Sequence, residues 1–192
     1  MSSIKLKHAS GNAVSIAAPE SNPASDRTLY VPSNANGTIL TNTTPGCVLQ
    51  VKQTVKTDTQ SFQSESFADI SNLSVSITPS SSSNKILCMA TLYIGAAGGG
   101  ATAKINLVRG STNIGQPAGS VTHKATALHF MAGVSMAPYP MSFLDSPNTT
   151  SATTYKLQVG ADSASTATYI NRYHGADNYH GISTLTVMEV AV

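Results

Sequence analysis

The sequence predicts an all-β protein, in which a short N-terminal segment of small strands precedes a β-sandwich, and three observations predict it. Runs rich in β-branched and apolar residues recur from residue 61 to residue 192, separated by Gly, Pro, Asn and Ser. Within them apolar and polar residues alternate, as in Leu73-Ser-Val-Ser-Ile77, and a period of two is typical of a half-buried strand. No stretch shows the period of an amphipathic helix.

Composition narrows the class of protein. Charged residues make up 10% of the 192 residues and the formal net charge is +2, without the basic blocks that follow a phosphate backbone. We therefore expect no nucleic-acid partner. Soluble domains carry roughly a quarter charged residues, so this surface must be covered by Ser, Thr, Asn and Gly or by another subunit. Oligomerisation is the natural second expectation.

The cysteines and the lengths of the apolar runs indicate in which cellular compartment the protein is made. Cys47 and Cys88 are the only cysteines of the chain, and their spacing fits no metal or redox motif, so both are predicted to be reduced, buried thiols. The N-terminus lacks an apolar stretch of signal-peptide length, and no run approaches the ~20 apolar residues of a membrane span. We expect the protein to be made and kept in a cytoplasm until it is released, and we expect no membrane insertion.

Residues 1–42 are predicted to form very short extended pieces, at 4–8, 13–17, 28–31 and 38–40, between turn-forming clusters of Gly, Asn and Pro. Each piece has few apolar side chains and cannot build a core alone. They become stable when copies from several chains pack together, as in an intertwined β-prism around a threefold axis. Residues 43–60 turn polar and are interpreted as a connector, although 48–52 is one more possible strand.

Residues 61–192 are predicted to form the head domain, a two-sheet sandwich or jelly roll. The run 85–94 is apolar on both faces, so one face should meet the opposing sheet and the other a neighbouring subunit. The final strand should lie in the central packing of the domain. The expected strands are 62–69, 73–78, 85–95, 103–109, 126–136, 141–144, 154–160, 166–171 and 183–190.

The order of these segments carries a family resemblance. The opening Ile4-Lys-Leu-Lys-His-Ala-Ser-Gly-Asn-Ala-Val-Ser-Ile-Ala-Ala-Pro19, with 27–32 and 37–40, resembles the N-terminal segment of tail-fibre and virion-appendage proteins of tailed bacteriophages, marine cyanophages especially. The stretches 67–79, 84–87, 143–147, 155–159, 169–172 and 181–190 look like the C-terminal domain that often follows it.

The resemblance implies a homotrimer located on the virion surface. Its N-terminal part would attach to other virion proteins of the tail or capsid, and its C-terminal jelly roll would be similar to tumour-necrosis-factor or C1q-type heads. Because long fibres carry a shaft of hundreds of residues, this chain would be a short fibre, a knob or a surface decoration. The residues expected in virion attachment are Ile4, Leu6, Val14, Ile16, Leu29 and Val31.

A loop near residue 175 is the candidate contact site for a bacterial surface glycan or protein. It combines flat amphipathic rings with hydrogen-bond donors and acceptors, and contact between neighbouring protomers is the alternative. Two imidazoles and a carboxylate within seven residues could hold a divalent metal, but no supporting partner is visible, so no metal is predicted. The candidate residues are Tyr169, Arg172, Tyr173, His174, Asp177, Asn178, Tyr179 and His180.

Two segments resemble catalytic or nucleotide-binding motifs but lack the neighbouring residues that those motifs need. Ser135 superficially resembles the serine of a nucleophile elbow, but Pro138 and Pro140 forbid the helix that must follow. The triglycine at 98–100 lacks the Lys-Ser/Thr of a phosphate loop and is interpreted as a hairpin tip.

The acidic residues show no pairing at the separation that glycoside hydrolysis needs. Asp145, Asp162, Asp177 and Glu189 are spread over different strands and loops, and Asp145 is interpreted as a turn residue whose carboxylate bonds the local backbone. We expect a non-enzymatic virion structural protein without a cofactor, most simply an appendage that binds the host surface. The alternatives are a capsid or tail decoration protein and, from another class, a glycan-processing enzyme.

Overall fold

The computed structural model describes residues 3–7, 9–11, 13–17, 44–96, 101–131, 136–174 and 178–192. The chain divides into two compact units, Met1–Ile39 and Leu40–Val192. Every regular element within the described residues is a β-strand, as the sequence predicts. In that part of the chain there is also no helix that could cross a membrane.

The described part of the first unit is a two-stranded antiparallel sheet. Strands β1 (Ser3–Lys7) and β2 (Ala13–Ala17) pair so that Ile4 lies opposite Ile16 and Leu6 opposite Val14. Gly11 in the turn has a φ of 121°, a conformation that residues with a Cβ rarely adopt. The strands expected at 4–8 and 13–17 are thus confirmed within a residue. Those expected at 28–31 and 38–40, with Leu29 and Val31, lie outside the described residues.

The second unit is built from two antiparallel sheets, consistent with a β-sandwich. Its described strands are β3 (Val48–Lys56), β4 (Gln60–Phe62), β5 (Ala68–Ile77), β6 (Lys85–Ala96), β7 (Ala101–Arg109), β8 (Thr112–Ile114), β9 (Ala127–Met131), β10 (Met136–Asp145), β11 (Thr153–Ala161), β12 (Thr168–Ile170) and β13 (Ser183–Val190).

Each sheet is four positions wide. The six-stranded sheet runs β3-β13-β6 with β10 on the far side of β6, while β12 and β4 continue the rows of β13 and β3. The five-stranded sheet runs β5-β11-β7, and β8 and β9 share the far side of β7. Three pairs of strands, β3 with β4, β8 with β9 and β12 with β13, each occupy one position, which leaves eight positions numbered in chain order. In these numbers the six-stranded sheet has the order 1-8-3-6 and the five-stranded sheet the order 2-7-4-5. Apart from β7 and β8, which are consecutive, neighbouring positions come from distant parts of the chain, and these orders are the connectivity of a jelly roll.

The core lies between the two sheets. Leu73, Val75 and Ile77 of β5 point inward and are buried, while Ser74 and Ser76 between them are exposed. Leu185 and Val187 of β13 are fully buried, and β13 lies between β3 and β6. Both observations confirm the sequence predictions, because the period of two places alternate side chains in the core.

The region 43–60, expected to be a connector, instead contains a strand of the sandwich, formed by Val48–Lys56. Strand β3 hydrogen-bonds to β13 along its length and occupies one edge of the six-stranded sheet. An edge strand is paired on one side only, and most side chains of β3 are exposed or half-buried. Because so few of its side chains are buried, β3 lacks the regular alternation of apolar and polar residues from which a strand is predicted.

The strand expected at 62–69 is two strands in different sheets, β4 and β5. The chain crosses between them over the outer side of the five-stranded sheet, where Lys104 Nζ donates to the Glu65 carbonyl at 2.9 Å. A Cβ at Gly160 would lie 3.2 Å from that same carbonyl oxygen, so a glycine in β11 allows the crossing chain to approach closely.

Strand β10 begins earlier than the expected 141–144, in spite of two prolines. Pro138 and Pro140 lie opposite Tyr93 and Thr91 of β6, and β6 is the only described strand that pairs with β10. In a strand, residues two apart direct their backbone nitrogens to the same side. Pro138 and Pro140 are two apart on an edge strand, so both can direct the nitrogen that lacks a hydrogen away from β6, where no ladder hydrogen bond is needed. The strand expected at 126–136 is β9, Ala127–Met131, while Ser135 and the triglycine at 98–100 lie outside the described residues.

Candidate functional site

The candidate contact loop connects β12 to β13 and is anchored by Asn171. This residue is fully buried and has a φ of 61°, a left-handed conformation that Asn tolerates better than most residues. Its Nδ2 donates to the carbonyls of Lys56 at 2.7 Å and Asp58 at 3.1 Å, and its Oδ1 accepts from Ser183 Oγ at 2.6 Å. One side chain thus ties the start of the loop to the end of β3 and the start of β13.

The two arms of the loop are hydrogen-bonded to each other. Gly181 N donates to Asn171 O at 3.1 Å, and Tyr173 N donates to Tyr179 O at 3.1 Å. Between these bonds, Arg172 and His180 form an antiparallel bridge. The two described arms of the loop are therefore held together, and its base is fixed to the sheet.

Three of the candidate residues pack against one another, with Tyr169 buried and Arg172 and His174 half-buried. Tyr169 is only 9% exposed. The Arg172 guanidinium carbon lies 4.3 Å from the centre of its ring, and the His174 ring stacks at 5.6 Å with Nδ1 3.2 Å from the Tyr169 hydroxyl. The ring of Tyr169 is thus occupied by its own neighbours. We assign Tyr169 a supporting role, in place of the contact role expected from the sequence.

The outer part of the loop carries the exposed candidates. Tyr179 is 63% exposed, and its ring packs edge-on against that of Tyr173 at 5.8 Å. Asn178 and His180 on either side are also exposed. Asp177 lies outside the described residues. Among the described candidate residues, Tyr179 therefore has the most exposed tyrosine ring, and that ring packs against Tyr173.

Sequence reasoning missed the residues that position this loop. Asn171, Ser183, Gly181 and Tyr93 lie beneath it, and Ser183 Oγ accepts from Tyr93 N at 3.0 Å while it donates to Asn171. A lone polar residue after an apolar strand, as Asn171 follows Ile170, is a signal for such a turn. Its partners are Lys56 and Asp58 at the end of β3, Tyr93 of β6 and Ser183 of β13, and no local sequence pattern predicts them.

Gly181→Ala is expected to displace the loop. A Cβ at position 181 would lie 2.6 Å from Cγ of Tyr93, closer than real carbon atoms approach. We expect the free energy of unfolding to fall by about 1–3 kcal/mol, the usual cost of overpacking, measured by urea denaturation. In a Tyr93→Ala background the same substitution should cost much less. An equal cost in both backgrounds would contradict the contact.

Asp145 does not act as the turn residue expected from the sequence. Its carboxylate accepts from Arg109 Nη1 at 2.9 Å and from the Tyr155 hydroxyl at 2.7 Å. Burial, followed by the hydrogen bond to Asp145, raises the pKa of Tyr155. Burial and then the charge of Asp145 raise the pKa of the Cys88 thiol to about 12, so this thiol remains protonated at neutral pH.

Glu189 is a second buried carboxylate and is surrounded by neutral donors. Asn84 Nδ2, Gln50 Nε2 and Ser80 N each donate to it at 2.6 Å, and Ser80 Oγ donates at 2.8 Å. Burial raises its pKa, but these hydrogen bonds together outweigh burial and bring the pKa down to about 2. Glu189 therefore stays ionised, and it ties β13 to β3 and to the loop before β6.

The remaining residues singled out in the sequence are the apolar residues of the N-terminal strands and the two cysteines. Leu6 of β1 is 61% exposed, and Ile4, Val14 and Ile16 lie in the same two-stranded sheet. Cys88 is buried, whereas Cys47 is half-buried, and neither forms a disulfide. Over the described ranges, His, Cys, Asp and Glu form no group of three that could hold a metal ion.

Comparisons with known proteins add a structural likeness. No family model matches the sequence, and no curated protein matches it. Among solved structures, the chain is similar to a chain in the structure of infectious bursal disease virus Gx strain, with 12% sequence identity and a TM-score of 0.36. The similarity covers 76% of this chain and 38% of that chain, so this chain spans well under half of that neighbour's length.

Proposed function

We propose that this chain is a non-enzymatic structural protein of a virion, a homotrimeric tail-fibre or appendage component of a tailed bacteriophage that binds the host cell surface. The observation that carries the proposal is the anchored loop between β12 and β13, which presents Tyr179 to solvent on a fixed base. Its support from sequence is the likeness of nearly the whole chain to phage appendage proteins.

Three of the described carboxylates, Asp145, Glu189 and Asp69, have structural partners that fit a non-enzymatic role. Asp145 and Glu189 are each buried in a set of donors that links strands, and Asp69 pairs with Lys156 at 2.8 Å on the surface. Hydrolysis of a glycosidic bond needs two carboxyl groups on either side of a substrate. These three carboxylates instead hold parts of the sandwich together.

In this proposal each loop binds the host surface weakly, and the trimer binds it strongly because it carries three loops. The exposed tyrosine edge and the neighbouring Asn178 and His180 offer ring surface, donors and acceptors for a sugar ring or a protein. Three loops on one trimer would raise avidity without a new contact. The apolar residues Ile4, Leu6, Val14 and Ile16 of the N-terminal strands, with Leu29 and Val31, would dock on another virion protein.

Tyr179→Ala is expected to reduce binding of the purified protein to host cells by at least about tenfold, because exposed aromatic residues dominate recognition energies. The measurement is pull-down of labelled protein by bacterial cells. Phe130→Ala is the matched control, since Phe130 is an exposed aromatic residue of β9, 74% accessible, and outside the loop. It should bind as the wild type does.

The second candidate function, decoration of a capsid or tail, has its own observation. On the outer face of the six-stranded sheet Val51, Met89 and Leu144 are each about half exposed, which suits contact between virion subunits. Unchanged cell binding by Tyr179→Ala, together with particles that lose heat resistance when the protein is missing, would reject host binding and establish decoration. A reducing-end assay with host polysaccharide tests the glycan-processing alternative, and product formation would overturn the non-enzymatic proposal.

A further inference from the structure

On one side of the sandwich the two sheets meet through the rings of His129 and Tyr139. His129 lies on β9 of the five-stranded sheet and Tyr139 on β10 of the six-stranded sheet. Their ring centres are 5.1 Å apart with an interplanar angle of 66°, and the Tyr139 hydroxyl donates to the Leu128 carbonyl at 3.4 Å. We call this side of the sandwich, formed by Ala127–Met131 and Met136–Asp145, the β9–β10 edge.

His129 is half-buried and lies on the core side of β9. It is paired with Ala103 of β7, which is fully buried in the core, and Ala127 on the same side of β9 packs against that core. Phe130 lies on the other side of the strand and is 74% exposed. The alternation of side chains along β9 therefore places an ionisable imidazole between the two sheets.

One ring nitrogen of His129 is buried without a hydrogen-bond partner. Its Nε2 atom has almost no contact with solvent, and no atom of the described residues forms a hydrogen bond with it. A neutral imidazole carries a proton on only one of its nitrogens, whereas an imidazolium carries a proton on both. Protonation of His129 would therefore bury an N–H group that has no acceptor, a cost that the neutral ring avoids.

The strands around His129 provide no carboxylate for an imidazolium. Residues 70–144, which include β6, β7, β9 and most of β10, contain no Asp or Glu. The titratable group that faces His129 from β10 is the Tyr139 phenol, and Lys104 of β7 projects from the other side of its sheet, where its Nζ donates to a backbone carbonyl.

The acidic residues on the neighbouring strands lie farther away. Asp145 ends β10 six residues beyond Tyr139, roughly 20 Å along the strand, and it already accepts from Arg109 and Tyr155. Asp162 follows β11, and the whole of β7 separates β11 from β9. A positive charge on His129 would therefore have no counter-ion among the described residues.

Few polar contacts hold the β9–β10 edge together. On the opposite side of the sandwich, Gln50 Nε2 donates to the Thr78 carbonyl at 2.7 Å and Thr54 Oγ1 donates to the Asn72 carbonyl at 3.3 Å. In the described residues, β9 and β10 share a single hydrogen bond, the one that Tyr139 donates. Segments with few such contacts open locally at a lower free energy than the whole domain unfolds, so the ring contact matters most at this edge.

We propose that His129 is an acid-sensitive latch, which holds β9 against β10 as a neutral ring and releases this edge on protonation, while the other strands stay paired. The inference goes beyond the proposed function, because it depends neither on host binding nor on the oligomeric state. Burial lowers the pKa of His129 from its ordinary 6.5. The edge is therefore closed at neutral pH, and its stability is lost as the pH falls from about 6.5 toward the lower pKa of the folded protein.

The test is backbone amide hydrogen exchange of the purified full chain at about pH 7.5 and about pH 5, corrected for the intrinsic exchange rates. In the wild type, protection of the β9 and β10 amides should fall by about threefold or more at the lower pH, because the open state gains a proton that the closed state lacks. These amides should exchange faster than those of β13 at both pH values, since they open locally.

His129→Phe keeps a ring against Tyr139 but cannot be protonated, and it should remove the pH dependence. His129→Gln is a second variant without an ionisable group. His123→Phe is the matched control, because His123 is exposed in the loop between β8 and β9, and it should retain the pH dependence of the wild type.

Three results would overturn the latch. The first is equal protection of β9 and β10 at the two pH values in the wild type, and the second is a pH dependence that persists in folded His129→Phe and His129→Gln variants. The third is β9 and β10 amides that exchange no faster than those of β13 at about pH 5, since the sandwich would then unfold as a whole. Far-ultraviolet circular dichroism and thermal unfolding establish that each variant is folded.

Discussion

Asp145→Ala is expected to lower the free energy of unfolding by about 3 kcal/mol, the largest effect of any single substitution considered for this protein. Asp145 ends β10 in one sheet, whereas Arg109 and Tyr155, which donate to it, belong to β7 and β11 in the other. Tyr155 is fully buried. Removal of the carboxylate leaves its hydroxyl without an acceptor and the guanidinium without its counter-ion, and such losses cost several kcal/mol.

Two further variants distinguish this inter-sheet contact from an ordinary ion pair. Asp145→Asn keeps an oxygen that can accept from Tyr155 and should cost about half as much. Asp69→Ala breaks the pair with Lys156, in which the aspartate side chain is 53% exposed, and should cost less than about 1 kcal/mol. Urea unfolding at neutral pH measures all three. Equal losses for Asp145→Ala and Asp69→Ala would contradict the assigned role of Asp145.

Glu189→Gln is expected to destabilise the protein by up to about 3 kcal/mol at neutral pH and to remove part of its acid sensitivity. The pKa of Glu189 falls from an ordinary 4.5 to about 2 in the folded protein. A carboxyl group with a lowered pKa stabilises the fold fully above its unfolded pKa, and this contribution disappears as the pH falls from about 4.5 to about 2. Glutamine also turns an amide toward the donors Asn84 and Gln50.

The measurement is the free energy of unfolding of wild type and variant across pH 2–7. The difference between them should be constant above about pH 5 and should shrink toward pH 2, because protonated glutamate resembles glutamine. Asp58 and Asp69, whose pKa values are lowered by hydrogen bonds from Lys56 and Lys156, act equally in both proteins and cancel. Glu65→Gln, at an exposed loop carboxylate, is the control. A difference that does not change with pH would refute the role given to Glu189.

The candidate loop illustrates how far sequence reasoning reaches. The segment between two strands, with its concentration of tyrosine, histidine and polar residues, can be recognised from composition alone. Composition cannot tell which rings face outward. Tyr169 and Tyr179 are equally plausible contact residues in the sequence, yet one is buried against Arg172 and the other is 63% exposed. The difference depends on how β12 joins β6, and that contact is distant in sequence.

Strand alternation and turn residues were sufficient, without tertiary information, to predict the all-β class, the C-terminal strand 183–190 and the two-sheet arrangement. These are local properties, because a period of two defines the buried face of a strand and Gly, Pro and Asn mark its ends. The tertiary structure alone decided that Val48–Lys56 belongs to the sandwich and that Asp145 and Glu189 connect separate strands. Each depends on which strands become neighbours, and in a jelly roll those neighbours come from distant parts of the chain.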